Sequence, residues 1–384
     1  MAALDPMALE PWQGTQPGEE LVALEDVAPT SRVTTVDLDL DMRSLFRTHW
    51  FNVAMTILSL GIYRFWAQTR VRQHLWSSVR VEEAPLGYTG RAGELGVGFL
   101  IGLICVLGPL AFLRWVGEVV GLTASQTILA PTDLAFLMMF VFFAAITIFK
   151  VRQYKLSRTV WRGLRGGMDG DGLTYAVLLT GVAIPTILTA GLALPWARTQ
   201  LMAHKMRRTR FGAQYFDFAP NAYPLYRDFI PAYVSCLILT PLAVAVSFFA
   251  VKVAGLLDAY FAGAGFFTLS GMAGFALIGA AGYMVILVSW AHYRAAEYAH
   301  FARSTRYASH RFCFEADGTD FAFLWIGNHL ISLCTLTLGT PWVYRRSMRF
   351  IADYLVIYGP VRLRRTTQTM PADAGQRGRA AQPA

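Results

Sequence analysis

The sequence predicts an all-α polytopic membrane protein. Its expected plan is a repeated unit, a short broken or re-entrant motif helix followed by a spanning helical hairpin, with small β-like cytoplasmic segments between. Three observations carry this. Of 384 residues, 55% are hydrophobic and only 15% charged, whereas a soluble domain carries about a quarter charged residues. Seven apolar runs lie near 49–66, 95–113, 134–149, 173–196, 229–251, 266–291 and 321–342. A short motif ending in Trp recurs along the chain.

Residues 1–34 are rich in Pro, Ala and Glu and show no period, so a disordered acidic tail is expected there. They do not read as a signal peptide, because the start is acidic and no apolar core follows. Residues 1–41 hold nine acids and one base, Arg32, which leaves 33 bases against 16 acids in the remainder. Those bases sit between apolar runs, which fits anionic lipid headgroups better than nucleic acid. Four runs, 95–113, 134–149, 229–251 and 266–291, read as spanning helices that pair into two hairpins. Gly98 and Gly102 give the first a face of small residues suited to close helix packing. Val36–Leu40, Val79–Tyr88, Gln214–Phe218 and Phe312–Glu315 read as β-like. Residues 366–384 read as a second disordered tail.

The other three runs resemble one another. Thr56-Ile57-Leu58-Ser59-Leu60-Gly61 leads to Trp66-Ala67 and His74. Thr186-Ile187-Leu188-Thr189-Ala190-Gly191 leads to Trp196-Ala197 and His204, offset by 130 throughout. Leu336-Thr337-Leu338-Gly339 with Pro341-Trp342 forms a third copy, two residues shorter after the glycine on this reading. Asn52 and Asn328 each precede their Trp by 14 residues, and the middle copy has Val182 there. The chain therefore divides into unit one (35–160), unit two (161–305) and a half unit (306–365).

Charge selects a topology. If the three motif runs enter and return on one side, 31 of the 33 bases lie inside and only Arg114 and Lys252 outside. If all seven runs span, the bias nearly vanishes, so the positive-inside rule favours re-entrance. Residues 49–60 would make ~18 Å of helix against ~30 Å of hydrocarbon. Gly61, Gly191 and Gly339 are expected at the helix breaks, with Pro195 and Pro341 blocking continuation. Asn52 and Asn328 are placed to satisfy the broken backbone. Trp66, Trp196 and Trp342 suit a membrane interface. Arg70, Arg72, Arg198, Lys205, Arg207, Arg208, Arg345, Arg346 and Arg349 beyond them are candidate contacts to anionic headgroups. In the last copy Tyr344, Met348, Ile351 and Leu355 mark one face, as in a helix lying along the interface.

The signature Asn52…Leu58-Ser59-Leu60-Gly61-Ile62-Tyr63…Trp66-Ala67…Arg70, with Gly339-Thr340-Pro341-Trp342…Arg345, resembles the YjgN-like family of bacterial inner-membrane proteins, defined by a domain of unknown function. The resemblance covers about residues 35–365 and departs at Val182 and Ala190. It implies a multi-pass inner-membrane location and no particular chemistry.

No hydrolase, nucleotide-binding or metal motif occurs, and no cofactor is expected. Asp169-Gly170-Asp171-Gly172 lacks the remaining ligands of a calcium loop and reads as a turn. His74 and His204 stand among bases. His329, inside an apolar run beside Asn328, is a candidate by position alone. Cys105, Cys236, Cys313 and Cys334 show no paired spacing. A non-enzymatic membrane scaffold or lipid-interacting envelope protein is the first expectation, with membrane lipids as partners and both termini cytoplasmic. A small-solute transporter or channel using the repeat interface is the second.

Overall fold

A computed structural model describes residues 32–34, 36–81, 84–119, 131–256 and 269–359. The rest of the two predicted tails, and most of the connections 114–133 and 252–265 with Asp258, lie outside the described residues. Ten helices occur among the described residues: α1 (Met42–Leu58), α2 (Arg64–Ser78), α3 (Ala92–Val119), α4 (Pro131–Ser157), α5 (Gly172–Leu188), α6 (Leu194–Arg207), α7 (Tyr223–Val253), α8 (Leu269–Arg303), α9 (Gly318–Cys334) and α10 (Thr340–Tyr354). They form antiparallel pairs, three short (α1–α2, α5–α6, α9–α10) and two long (α3–α4, α7–α8).

The all-α expectation is overturned. Among the described residues eleven strands occur: β1 (Arg32–Thr34), β2 (Val36–Leu38), β3 (Val79–Val81), β4 (Ala84–Tyr88), β5 (Thr159–Trp161), β6 (Leu164–Met168), β7 (Thr209–Phe211), β8 (Gln214–Phe218), β9 (Thr305–Tyr307), β10 (His310–Phe314) and β11 (Leu355–Gly359). They form one antiparallel sheet in the order β1-β11-β10-β9-β8-β7-β6-β5-β4-β3-β2. Its two ends are a single stretch of chain, since Thr34 pairs with Ile357 while Val36 pairs with Val81. Taken together, β1 and β2 close a ten-stranded ring. Arg32–Thr34, placed by composition in a disordered tail, is part of that closure. Only three helical segments among the described residues, Leu137–Ser157, Tyr223–Val253 and Ser270–Arg303, are long and apolar enough to cross a membrane.

The sequence understated the sheet for a physical reason. Each hairpin is a three-residue strand, a two-residue turn and a five-residue strand, close to the lower limit at which alternation can be read. A helix feeds each hairpin, and the junction is tied by a hydroxyl. Thr159, Thr209 and Thr305 donate to the carbonyls of Lys155, Lys205 and Phe301 at 3.0, 2.8 and 2.6 Å. Ser78 donates likewise to His74 at 2.8 Å. Asp41, Asp171 and Asp317 then cap α1, α5 and α9, satisfying N–H groups that would otherwise lack partners. The Asp169–Gly172 stretch thus includes the cap of α5.

Packing follows the ring. The returning helices α2, α4, α6, α8 and α10 lie on β4, β6, β8, β10 and β2, so the N-terminal strand serves α10 as β4 serves α2. Neighbouring pairs touch in sequence and the circle closes where α10 meets α1, with Phe46 edge-on to Trp342 at 4.9 Å. A Cβ on Gly166 would lie 2.7 Å from the carbonyl oxygen of Leu156, so the last turn of α4 sits directly on β6. By contrast, added Cβ atoms on Gly98 and Gly102 would meet nothing within 4 Å, and the small-residue face of α3 packs against no described partner there.

The sheet has two unlike faces. Tyr88, Trp161, Met168, Phe218 and Phe314 are buried on one. Through paired registers the other carries Asp37, Arg80, Arg165, Arg210, Asp217, Arg306 and Arg311. Ten strands at ~4.8 Å spacing close a ring roughly 15–20 Å across, and a helix is ~10 Å wide. Five helices cannot fit inside it. The helix-covered apolar face is therefore outermost, and the arginine-rich face lines the ring.

Closure is directly testable, because Val33 lies opposite Tyr358 and Cys313 lies opposite Val356. With other cysteines removed, Val33→Cys with Tyr358→Cys should crosslink on oxidation as readily as Cys313 with Val356→Cys. Crosslinking of the second pair alone would mean that the ring is open.

Candidate membrane interface and basic seam

The three short helix pairs share one turn. Ser59 and Thr189 accept hydrogen bonds from the N–H groups of Tyr63 and Ala193 at 2.9 and 3.0 Å, and Thr335 accepts from Gly339 at 2.8 Å. Leu60, Ala190 and Leu336 follow with φ of 51°, 50° and 48°. The next positions are Gly61 (φ 93°), Gly191 (φ 95°) and Thr337 (φ 69°). The three turns therefore correspond residue for residue, and the two-residue shortening read in the third is incorrect. Gly339 is not the left-handed residue; it is the N-cap of α10 with φ −78°. It is small for another reason, since a Cβ would meet Thr335 and Ile331 at 2.7 and 2.8 Å. Pro195 and Pro341 open the returning helices, where a missing N–H costs nothing.

Beyond these turns the surface is apolar. Leu58, Leu60, Leu188, Leu333 and Leu336 are 72–94% exposed. Trp66, Trp196 and Trp342 stand exposed just below, nearer the ring. Asn52 donates to the carbonyl of Ala67 at 3.4 Å and Asn328 to Ser347 at 3.2 Å. Both asparagines clamp the arms of a pair together, and buried Val182 takes that place in the middle copy. The α10 helix is the returning arm of such a pair; Phe350 packs edge-on to Phe321 at 5.0 Å, so it does not lie along an interface as a separate helix. Between α1 and the last turn lies an apolar groove lined by Phe46, Trp50, Leu336, Leu338 and Trp342.

The candidate headgroup residues divide. Arg70 stacks over Phe51 and Tyr63 at 5.2 and 5.7 Å. Arg207 donates to Phe218 at 3.3 Å and Arg346 to Phe323 at 3.1 Å, while Arg208 meets His204 at 3.0 Å. Arg345 and Arg349 are exposed. Arg198 is paired with Glu297, which also pairs with Arg294. Glu297 is only 1% exposed, beside fully buried Tyr293.

Arg72 and Lys205 belong to a seam between α2, α4 and α6. Arg72 and Arg152 act electrostatically on Lys155, and Arg152 and Arg198 act on Lys205. The ammonium of Lys205 lies 5.6 Å over the ring of buried Tyr175. Burial first, then the neighbouring guanidinium groups, push Lys205 down to about 8. His204 is lowered too, mainly by burial and then by Arg208.

Sequence reading missed Arg152, Lys155, Arg294 and Glu297. They lie where apolar runs give way to polar flanks, and only the i, i+3 spacing of Arg294 and Glu297 hinted at a pair. His329 is bonded to Tyr283 at 2.8 Å and to the Trp325 carbonyl at 2.7 Å. Among the described residues no group of three His, Cys, Asp or Glu side chains could hold a metal.

The class that emerges is a ring of helical hairpins seated on a closed β-sheet, with apolar tips at one end and a basic collar near the sheet. The chain belongs to the DUF898 family, described as bacterial protein of unknown function, whose model matches residues 39–383. This agrees with the resemblance carried by the motifs. No curated protein and no solved structure matches it.

Two stability outcomes follow. A β-branched residue at positive φ is strained by roughly 1–2 kcal/mol, so Thr337→Gly should raise the thermal midpoint, and Gly61→Thr should lower it. Removing one partner of a buried ion pair costs roughly 3–5 kcal/mol. Denaturation in detergent should therefore show a large loss for Glu297→Gln, and a smaller one for Arg198→Gln, which leaves Arg294 on the carboxylate.

Proposed function

We propose that this is a multi-pass protein of the bacterial inner membrane that acts as a non-enzymatic, lipid-contacting scaffold. In this reading the three short pairs are copies of one unit. The long pairs cross the bilayer, and the short pairs insert their tips into the leaflet next to the ring. The ring and both termini face the cytoplasm, the side that holds nearly all the bases.

One observation carries the reading: short and long pairs share one ring but differ in reach. α7 has 31 residues and α5 has 17. That difference is ~21 Å of helix, somewhat more than half of a ~30 Å hydrocarbon layer. Tips that stop mid-bilayer thus accompany long pairs that reach the far face. The exposed leucines would then contact acyl chains, and the three tryptophans would mark the interface.

A second reading, a pathway for small solutes, is favoured by the polar inner face of the ring. Flux through the protein in liposomes distinguishes it from the scaffold.

The membrane reading is tested by depth. Spin labels at Leu60, Leu188 and Leu336 should be protected from aqueous relaxants and accessible to oxygen. A cysteine at Tyr215 should react only from the cytoplasmic side. Water-exposed tips would sink the half-insertion, and external labelling at position 215 would invert the topology.

A further inference from the structure

The seam between α2, α4 and α6 has an electrostatic deficit. Arg72, Arg152, Lys155 and Lys205 come from three different helices; Arg72 and Arg152 repel Lys155, and Arg152 repels Lys205. The Nη1 atom of Arg72 and the Nε atom of Arg152 are buried without a hydrogen-bond partner among the described residues. Lys205 extends over the ring of Tyr175, which is 2% exposed. The nearby carboxylate of Glu297 is held by Arg198 and Arg294. Asp171 acts on His204 and caps α5 with its oxygens.

Gathering like charges away from water is costly unless something of opposite sign completes the group. Unpaired guanidinium N–H groups in the same seam as an ammonium suit a tetrahedral oxyanion carrying several acceptor oxygens. Tyr175 and Phe149 wall the seam on its apolar side, which keeps the charges partly desolvated and strengthens any such contact. The level is also suitable. Arg72 follows Trp66 by six residues and Lys205 follows Trp196 by nine, placing them ~9–14 Å from the tryptophans toward the ring.

We propose that the seam between α2, α4 and α6 is a binding site for a phosphate group, carried by an anionic lipid headgroup or by free phosphate. A lipid source rests on the membrane reading above; the site itself does not. Arg72 and Arg152 supply directed donors and Lys205 the adjustable charge.

The test uses the full chain in a neutral detergent and follows thermal unfolding at constant ionic strength. The probes are inorganic phosphate, and micellar phosphatidylglycerol compared with phosphatidylcholine. The parent should be stabilised by at least one of phosphate and phosphatidylglycerol. Response to phosphatidylglycerol alone assigns the site to a lipid, and response to phosphate assigns it to the free anion. Arg152→Gln with Lys205→Gln should weaken the response about tenfold or more, while exposed Arg43→Gln leaves it unchanged. Without added anion the double variant should melt higher than the parent, because repulsion is relieved. Lys205→Arg, which keeps the charge, should retain the response. A parent indifferent to both probes would overturn the proposal, as would equal responses in the parent and the double variant. Water-exposed hairpin tips in the depth measurement would leave this result standing.

Discussion

Everything in this fold hangs on the pairing that β1 makes with β11 while β2, one residue further on, pairs with β3. Open edges of short strands would offer unpaired N–H and C=O groups to other chains. Closing the circle removes both edges at once. It also fixes where the helix pairs can stand, because α2, α4, α6 and α8 enter the sheet through junctions tied by a hydroxyl, and α1, α5 and α9 leave it at a capping aspartate. Strands of three and five residues could not form a stable sheet alone. Helices lying over their outer face supply the apolar burial, through Tyr88 against Trp76, Met168 against Phe149, Phe218 against Phe301 and Phe314 against Phe350. Sheet and helices are thus each other's core.

Ring and hairpins divide the work. All connections between helix pairs are β-hairpins or the split strand, so all sit at one end of the molecule. The helix turns, Leu60 with Gly61 and its equivalents, sit at the other. A polypeptide built this way has a polar end and an apolar end whatever the length of each pair. Length then decides how far each pair reaches, and glycine or a strained threonine decides where it turns. The bases collect near the ring because α2, α4, α6, α8 and α10 all run toward it and become polar as they approach.

Much of this was legible in the residues. The first two motif turns at Gly61 and Gly191, and Asn52 and Asn328 as polar partners within their helix pairs, follow from spacing. The ring did not. β5–β6 is absent from the β-like segments read from the sequence because Thr159-Val160-Trp161 is too short for a period, although Thr-x-aromatic recurs at 159, 209 and 305 and is a usable signal. β1 was hidden by the composition of the acidic segment around it. The third motif was misregistered because Gly339 attracted the glycine of the first two copies, while the left-handed residue is Thr337. Glycine marks such a position statistically, but hydrogen bonding to Thr335 and the return of α10 hold a threonine there. Glu297 was missed for a different reason: burial of an acid depends on which helices meet, which no local pattern encodes.

The distribution of charge links these levels. Inside the ring, Arg306 stands directly opposite Arg311, and Asp217 directly opposite Arg306. Like charges in a paired position cost stability, yet here the inner face is open to water, which screens them. At the α2–α4–α6 seam the bases are half-buried and screening is weaker. One protein therefore holds two cationic zones with different physical demands: the first is satisfied by solvent, and the second is, on our proposal, completed by a bound anion. That difference in burial, more than the count of bases, separates a solvated collar from a site.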